Sequence, residues 1–124
     1  MAILFLTTDL LFSSRVAGAA ARLGMTLKTA ATPAALIELL AAADRESLVL
    51  LDLNSPGVDP QQLAPALRAG RNPPRAIIAY GPHVHEDRLA AATAAGCDEV
   101  LTRGQFNARM EETLAKWCGS SAAD

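Results

Sequence analysis

Three short, uninterrupted apolar runs set the strongest limit on what this chain can fold into: Ala2 to Leu6, Leu48 to Leu51 and Ala76 to Tyr80. A strand that is apolar at every position has no face left for water, so it must be covered on both sides. Between these runs lie longer stretches with helical periodicity. Phe12, Val16, Ala19, Ala20 and Leu23 fall on one helical face before Gly24, which suits a C-terminal cap. Thr32 and Pro33 form a favoured N-cap and first-position pair for a helix that carries Leu36, Leu39 and Leu40 and ends near Ala43. A third helix is expected from Pro60 to Ala69, with Pro65 near its first turn and Gly70 closing it. A fourth runs from Asp87 to Ala95 and stops at Gly96, and a last helix from Phe106 to Trp117 buries Phe106, Met110, Leu114 and Trp117. Met25 to Ala30, more polar, reads as an edge strand, and Glu99 to Leu101 as a short fifth strand.

The expected architecture is therefore α/β: five strands alternating with five helices, an open parallel sheet covered on both faces by right-handed crossovers. The chain has 124 residues, enough for one domain over residues 1–118 and a short tail over 119–124. With 51% hydrophobic residues it can bury a core. A net charge of -2 argues against nucleic-acid and anionic-membrane partners, which select basic surfaces. No apolar run approaches the roughly 20 residues of a membrane span, and the N-terminus lacks the basic start of a secretory signal, so a cytoplasmic address is expected. Cys97 and Cys118 have neither CxxC nor zinc spacing and are expected as reduced thiols. Arg15, Arg22, Arg68, Arg71, Arg75 and Arg88 form no run and read as solvated charges.

In open parallel sheets, sites form beyond the carboxyl ends of the strands. That rule selects Thr7, Thr8 and Asp9 after the first strand, Asp52 and Asn54 after the third, Gly81 after the fourth and Arg103 after the fifth. Asp9 alone is explained by the first turn of a helix, where a carboxylate meets free amides. Arg103 is expected to grip Asp52 with its planar guanidinium fork and lock the site. His83 and His85, in Gly81-Pro82-His83-Val84-His85, have no third ligand at a metal-site spacing and are expected on a rigid exposed loop. Neither GxGxxG nor GxxxxGK[ST] occurs, and no nucleophile-base pair is visible, so the chain is not expected to be an enzyme.

With Asp52 closing LVLLDLNSPG and AAGCDEVL leading into the fifth strand, the chain resembles the receiver domain of bacterial response regulators, a flavodoxin-like (βα)5 fold. That resemblance makes Asp52 the phosphoacceptor candidate. It also implies an acidic pair holding Mg²⁺ after the first strand, where this chain has Thr7-Thr8 and then Asp9. A Ser or Thr is implied at Gly81, and a Lys-Pro at Arg103-Gly104. Two Thr hydroxyls do not replace carboxylates in holding Mg²⁺ against its own hydration, and phosphoryl transfer rests on that positioning. The expectation is an atypical, stand-alone pseudo-receiver without a cofactor, acting in signal transduction through protein contacts. Its partner would be a kinase or downstream effector, with a possible homodimer through residues 87–117. Two alternatives stand beside it. One is a phosphorelay receiver modified on Asp52 by a histidine kinase, with Mg²⁺ on Asp9, Asp52 and the Asn54 carbonyl. The other is a flavodoxin-like small-molecule binder.

Overall fold

The computed structural model describes residues 1–118; the tail expected over 119–124 lies outside the described residues. Five parallel strands, β1 (Ala2–Leu6), β2 (Thr26–Ala30), β3 (Ser47–Asp52), β4 (Ala76–Gly81) and β5 (Glu99–Thr102), form one sheet in the order β2-β1-β3-β4-β5. The connecting helices are α1 (Leu10–Arg22), α2 (Pro33–Ala41), α3 (Pro60–Ala69) and α4 (Glu86–Ala94), with α5 (Arg103–Ala108) and α6 (Met110–Trp117) after the last strand. This is the flavodoxin-like arrangement that the alternating pattern predicts.

Strand alternation divides the buried side chains between two cores. Leu4, Leu6, Val49, Leu51, Ile77 and Ala79 point to one face and meet Leu36, Leu40, Leu63, Leu67 and Ala92 from α2, α3 and α4. Ile3, Phe5, Leu48, Leu50, Ile78 and Tyr80 point to the other and meet Phe12, Val16, Phe106, Met110 and Leu114 from α1, α5 and α6. Every residue of β1, β3 and β4 is buried, as the continuous apolar runs require, whereas β2 is mostly exposed, as suits an edge. Gly24 and Gly96 take positive φ (72° and 89°) directly after α1 and α4, the left-handed geometry that a helix end asks of glycine. Gly70 has φ -73° and ends α3 without it, and Pro65 sits in the second turn on the solvent side rather than in the first. The end of α2 is closed from a distance: the Asn72 side-chain amide donates to the carbonyls of Leu40, Ala41 and Ala43 at 3.3, 3.0 and 3.1 Å.

The region after β5 departs from the single expected helix. Helix begins at Arg103, three residues early, and is interrupted at Arg109 (φ -127°, ψ 33°) before resuming at Met110. The early start has a clear cause. The Thr102 hydroxyl accepts from the Gln105 amide at 3.1 Å, and the Gln105 side chain accepts from the Thr102 amide at 2.9 Å, a reciprocal capping box. The pattern Thr-x-x-Gln is present in the sequence, and it pulls Arg103 out of a loop and onto the first turn of α5. Phe106, Met110 and Leu114 remain buried across the interruption. Replacing the cap, Thr102→Ala, is expected to lower unfolding free energy in urea by about 1 kcal/mol. It is also expected to weaken protection of the Gln105 amide in hydrogen exchange.

Candidate functional site

Parallel pairing brings the carboxyl ends of β1, β3, β4 and β5 to one edge of the sheet. Asp52 pairs with Tyr80 in register, and Gly81 with Thr102. Beyond that edge Thr7, Asp9, Asp52 and Arg103 form one hydrogen-bonded cluster. Thr7 is buried, and its hydroxyl both donates to Asp52 Oδ2 at 2.7 Å and accepts from the Asp9 amide at 3.0 Å. Asp52 Oδ1 accepts from the Asn54 amide at 3.0 Å, the local turn that a carboxylate at a strand end makes with its own loop. Asp52 is only 7% exposed.

Asp9 is the N-cap of α1: its Oδ1 accepts from the Phe12 amide at 3.0 Å. Its Oδ2 accepts from Arg103 Nη2 at 2.8 Å. The expected pairing of Arg103 with Asp52 is thus corrected. The capping box seats Arg103 on α5 facing the start of α1, and Asp52 takes Thr7 and its own loop as partners instead. The Phe12 amide first, and the Arg103 guanidinium after it, hold the Asp9 carboxyl below its ordinary value of 3.8. Arg103 also lies over the Phe12 ring, 4.6 Å from its centroid.

Beneath these polar groups sits an aromatic cluster. Tyr80 stacks on Phe106 (centroids 5.2 Å apart, planes 12° apart) and touches Phe12 at 5.1 Å. The Tyr80 hydroxyl is buried without a hydrogen-bond partner. Burial, and then the charge of Asp52, push its ionisation far upward, so it stays neutral.

The remaining candidates divide. Thr8 is exposed and makes none of the cluster's hydrogen bonds, and the Asn54 side chain is on the surface, where its Oδ1 lies 3.4 Å from Arg88 Nη1. Gly81 is buried, and a Cβ added there would stand 3.2 Å from the Leu53 Cβ and 3.6 Å from a Leu89 methyl. The Leu53 contact is tight and would have to give by a few tenths of an ångström to admit a side chain there, whereas the Leu89 contact is ordinary. Arg88, read from sequence as a solvated charge, donates to the Leu53 carbonyl at 3.3 Å and ties α4 to the loop after Asp52. No pattern in the chain announces that contact, because the partner is a backbone oxygen. Among the described residues no three His, Cys, Asp or Glu side chains gather in a way that could hold a metal ion; His83 is exposed and His85 half-buried before α4. Cys97 and Cys118 are free thiols, and burial pushes Cys97 up to about 11, which leaves it protonated and unreactive.

The donor set does not fit Mg²⁺. Each of the four carboxylate oxygens of Asp9 and Asp52 already accepts a hydrogen bond from the protein. A guanidinium already neutralises one of the two charges. Mg²⁺ demands near-octahedral oxygens and gives up water reluctantly, so at Asp9 it would have to compete with the Arg103 cation and the Phe12 amide. Of the set expected for the metal-binding alternative, Asp9 is engaged by Arg103 and Asp52 by Thr7 and the Asn54 amide.

No protein-family profile matches the chain, and no curated protein sequence matches it significantly. Solved structures do. The receiver domain of a sensor histidine kinase from Pseudomonas aeruginosa, which holds a magnesium ion in its active-site cleft, superposes with a TM-score of 0.79 at 20% identity, covering 96% of this chain and 98% of that one. The phosphorylated cyanobacterial phytochrome response regulator RcpA gives 0.78 at 17% identity over 96% and 94%. The receiver domain of a Saccharomyces cerevisiae response regulator, co-crystallised with a histidine phosphotransfer protein, gives 0.78 at 14% over 100% and 93%. The fold is that of response-regulator receiver domains.

Two measurements test this geometry. Gly81→Thr is expected to cost about 1–3 kcal/mol through overpacking, and Leu53→Ala in the same chain should recover part of that loss in a double-mutant cycle. The Asp9 contribution should follow the sign of its shift. Because its folded value lies below 3.8, its stabilisation is complete above that pH and is lost as pH falls through the lower folded value. The stability gap between the native chain and Asp9→Asn, followed by urea unfolding, should stay level at neutral pH and close only in acid.

Proposed function

We propose that this protein is an atypical receiver module of two-component signalling that works through protein-protein contacts, without ordinary Mg²⁺-dependent phosphorylation and without catalysis of its own. The observation that carries this reading is the internal satisfaction of Asp9 and Asp52, whose oxygens are engaged by Thr7, Arg103 and the Phe12 and Asn54 amides. Phosphoryl transfer depends on a metal and on donors placed around the transferred group. Here both carboxylates already have partners within the protein, and Gly81 offers no hydroxyl.

The contact surface we assign lies over residues 87–117. There β5 is a sheet edge paired only with β4, and a groove of about 770 Å³ runs along it between Glu99, Leu101, Gln105, Arg109, Thr113 and Lys116. A kinase, a downstream effector or a second copy of the chain fits such a surface. None of the helices in the described residues is long and apolar enough to cross a membrane. A cytoplasmic place in a phosphorelay or a regulatory complex, of bacterial type, follows as part of the same proposal.

The second reading, Asp52 as a phosphoacceptor, is favoured by the position of Asp52 at the end of β3 in a receiver fold. Amide NMR with beryllofluoride and Mg²⁺, the stand-in for a phosphoryl group, separates the two. No saturable shifts around Asp52 are expected in the native protein. Shifts that saturate and vanish in Asp52→Asn would overturn the leading reading and establish the second.

A further inference from the structure

Among the described residues four large apolar side chains stand exposed: Leu10, Leu11, Ile37 and Val84. Three of them share the carboxyl edge of the sheet. Leu10 and Leu11, 81% and 83% exposed, open α1 just beyond β1, and Val84, 70% exposed, lies in the loop just beyond β4. A single exposed leucine needs no explanation, whereas apolar groups gathered at one edge mark a contact surface. In the sheet β3 separates β1 from β4, so the two patches stand about 10 Å apart along the edge by strand spacing. Helices α1 and α4 cover opposite faces of the sheet, which places the patches diagonally across the end of β3.

Their charges are opposite. Leu11 and Arg15, one helical turn apart, line a cleft of about 380 Å³ together with Arg103 and Asn107. The Arg15 guanidinium donates to the Asn107 side-chain oxygen at 3.0 Å and has no carboxylate partner among the described residues. Beside Val84, Glu86 and Asp87 are exposed in the first turn of α4, likewise without an ion-pair partner among the described residues. The other charged groups at this edge are engaged within the chain. Arg103 pairs with Asp9, Arg88 reaches the Leu53 carbonyl, and Asp52 is buried.

We propose that a second copy of this chain docks on the carboxyl edge, with the start of α1 in each copy lying against the loop before α4 in the other. Two patches on one face are exchanged by a two-fold axis lying in that face, so the contact forms once in each direction, the self-complementary arrangement of a two-fold dimer. Leu10 and Leu11 meet Val84, and the Arg15 guanidinium meets the Glu86 and Asp87 carboxylates. Between the two contacts lie Asp9 and Asp52, whose carboxylate oxygens already accept hydrogen bonds inside the protein, so covering them orphans none of these oxygens. This surface is separate from the groove along β5, and the proposal goes beyond the function assigned above.

The test is sedimentation equilibrium of the full chain over a concentration series, with two variants: Leu10→Ser combined with Leu11→Ser, and Val84→Ser. All three positions are exposed, and a native-like amide spectrum reports that each variant is folded. The native chain should form a dimer as concentration rises, and each variant alone should raise the dissociation constant about tenfold or more. A mixture of the two variants should associate more tightly than either alone, because the intact leucines of one then meet the intact Val84 of the other. A native chain that stays monomeric up to about 1 mM would overturn the proposal. So would a native dimer that both variants leave unchanged, which would place the contact on another surface. Variants that each weaken the dimer but gain nothing on mixing would overturn the reciprocal pairing of these two patches.

Discussion

Burial of β1, β3 and β4 on both faces is the constraint on which everything else depends. Because their side chains alternate between two cores, the register cannot slip by one residue without exchanging the two sets. Fixed register aligns the strand ends, so Thr7, Asp52 and Gly81 arrive together where the apolar runs stop. The polar cluster is the termination of the core rather than an addition to it. Its floor is the ring of Tyr80, whose unpartnered hydroxyl is tolerated because Phe5, Phe12 and Phe106 hold the ring in place.

Given that edge, the chemistry turns on where one cation is delivered. The capping residues Thr102 and Gln105 determine that α5 starts without a connecting loop, and this sends Arg103 across to the first turn of α1. There it meets the N-cap carboxylate of Asp9, already turned toward its helix by the Phe12 amide. A local backbone signal in one helix thereby decides the electrostatics at the start of another. The same economy appears at Arg88, where a guanidinium reaches a main-chain oxygen beside Asp52 and couples α4 to the loop it faces.

Much of this was legible in the sequence, and the reasons for success and failure are physical. Continuous apolar runs admit few structures, so β1, β3 and β4 could be read directly as strands covered on both faces. Gly24 and Gly96 announced helix ends because glycine alone reaches left-handed φ without penalty there. The candidate residues followed from the strand ends. The choice of partner for Arg103 did not, since it depends on the start of α5, and the Thr102-x-x-Gln105 signature was hidden by the more obvious apolar spacing of Phe106, Met110 and Leu114. The tight Leu53 contact at Gly81 and the Arg88 contact were beyond reach for a different reason: a glycine and a backbone carbonyl carry no side-chain information about what lies next to them.

The sparse aromatic content has a practical corollary. The chain holds one tyrosine and one tryptophan. Tyr80 lies under Asp52 and Thr7 at the carboxyl edge of the sheet. Trp117 ends α6 near the opposite edge, where its Nε1 donates to Glu99 at 2.6 Å and its carbonyl accepts from Arg75 at 3.1 Å. The two side chains emit at different wavelengths and sit toward opposite edges of the sheet. The protein therefore carries a built-in optical pair: the phenol reads events at the polar cluster and the indole reads the seam where the final helix closes over the sheet.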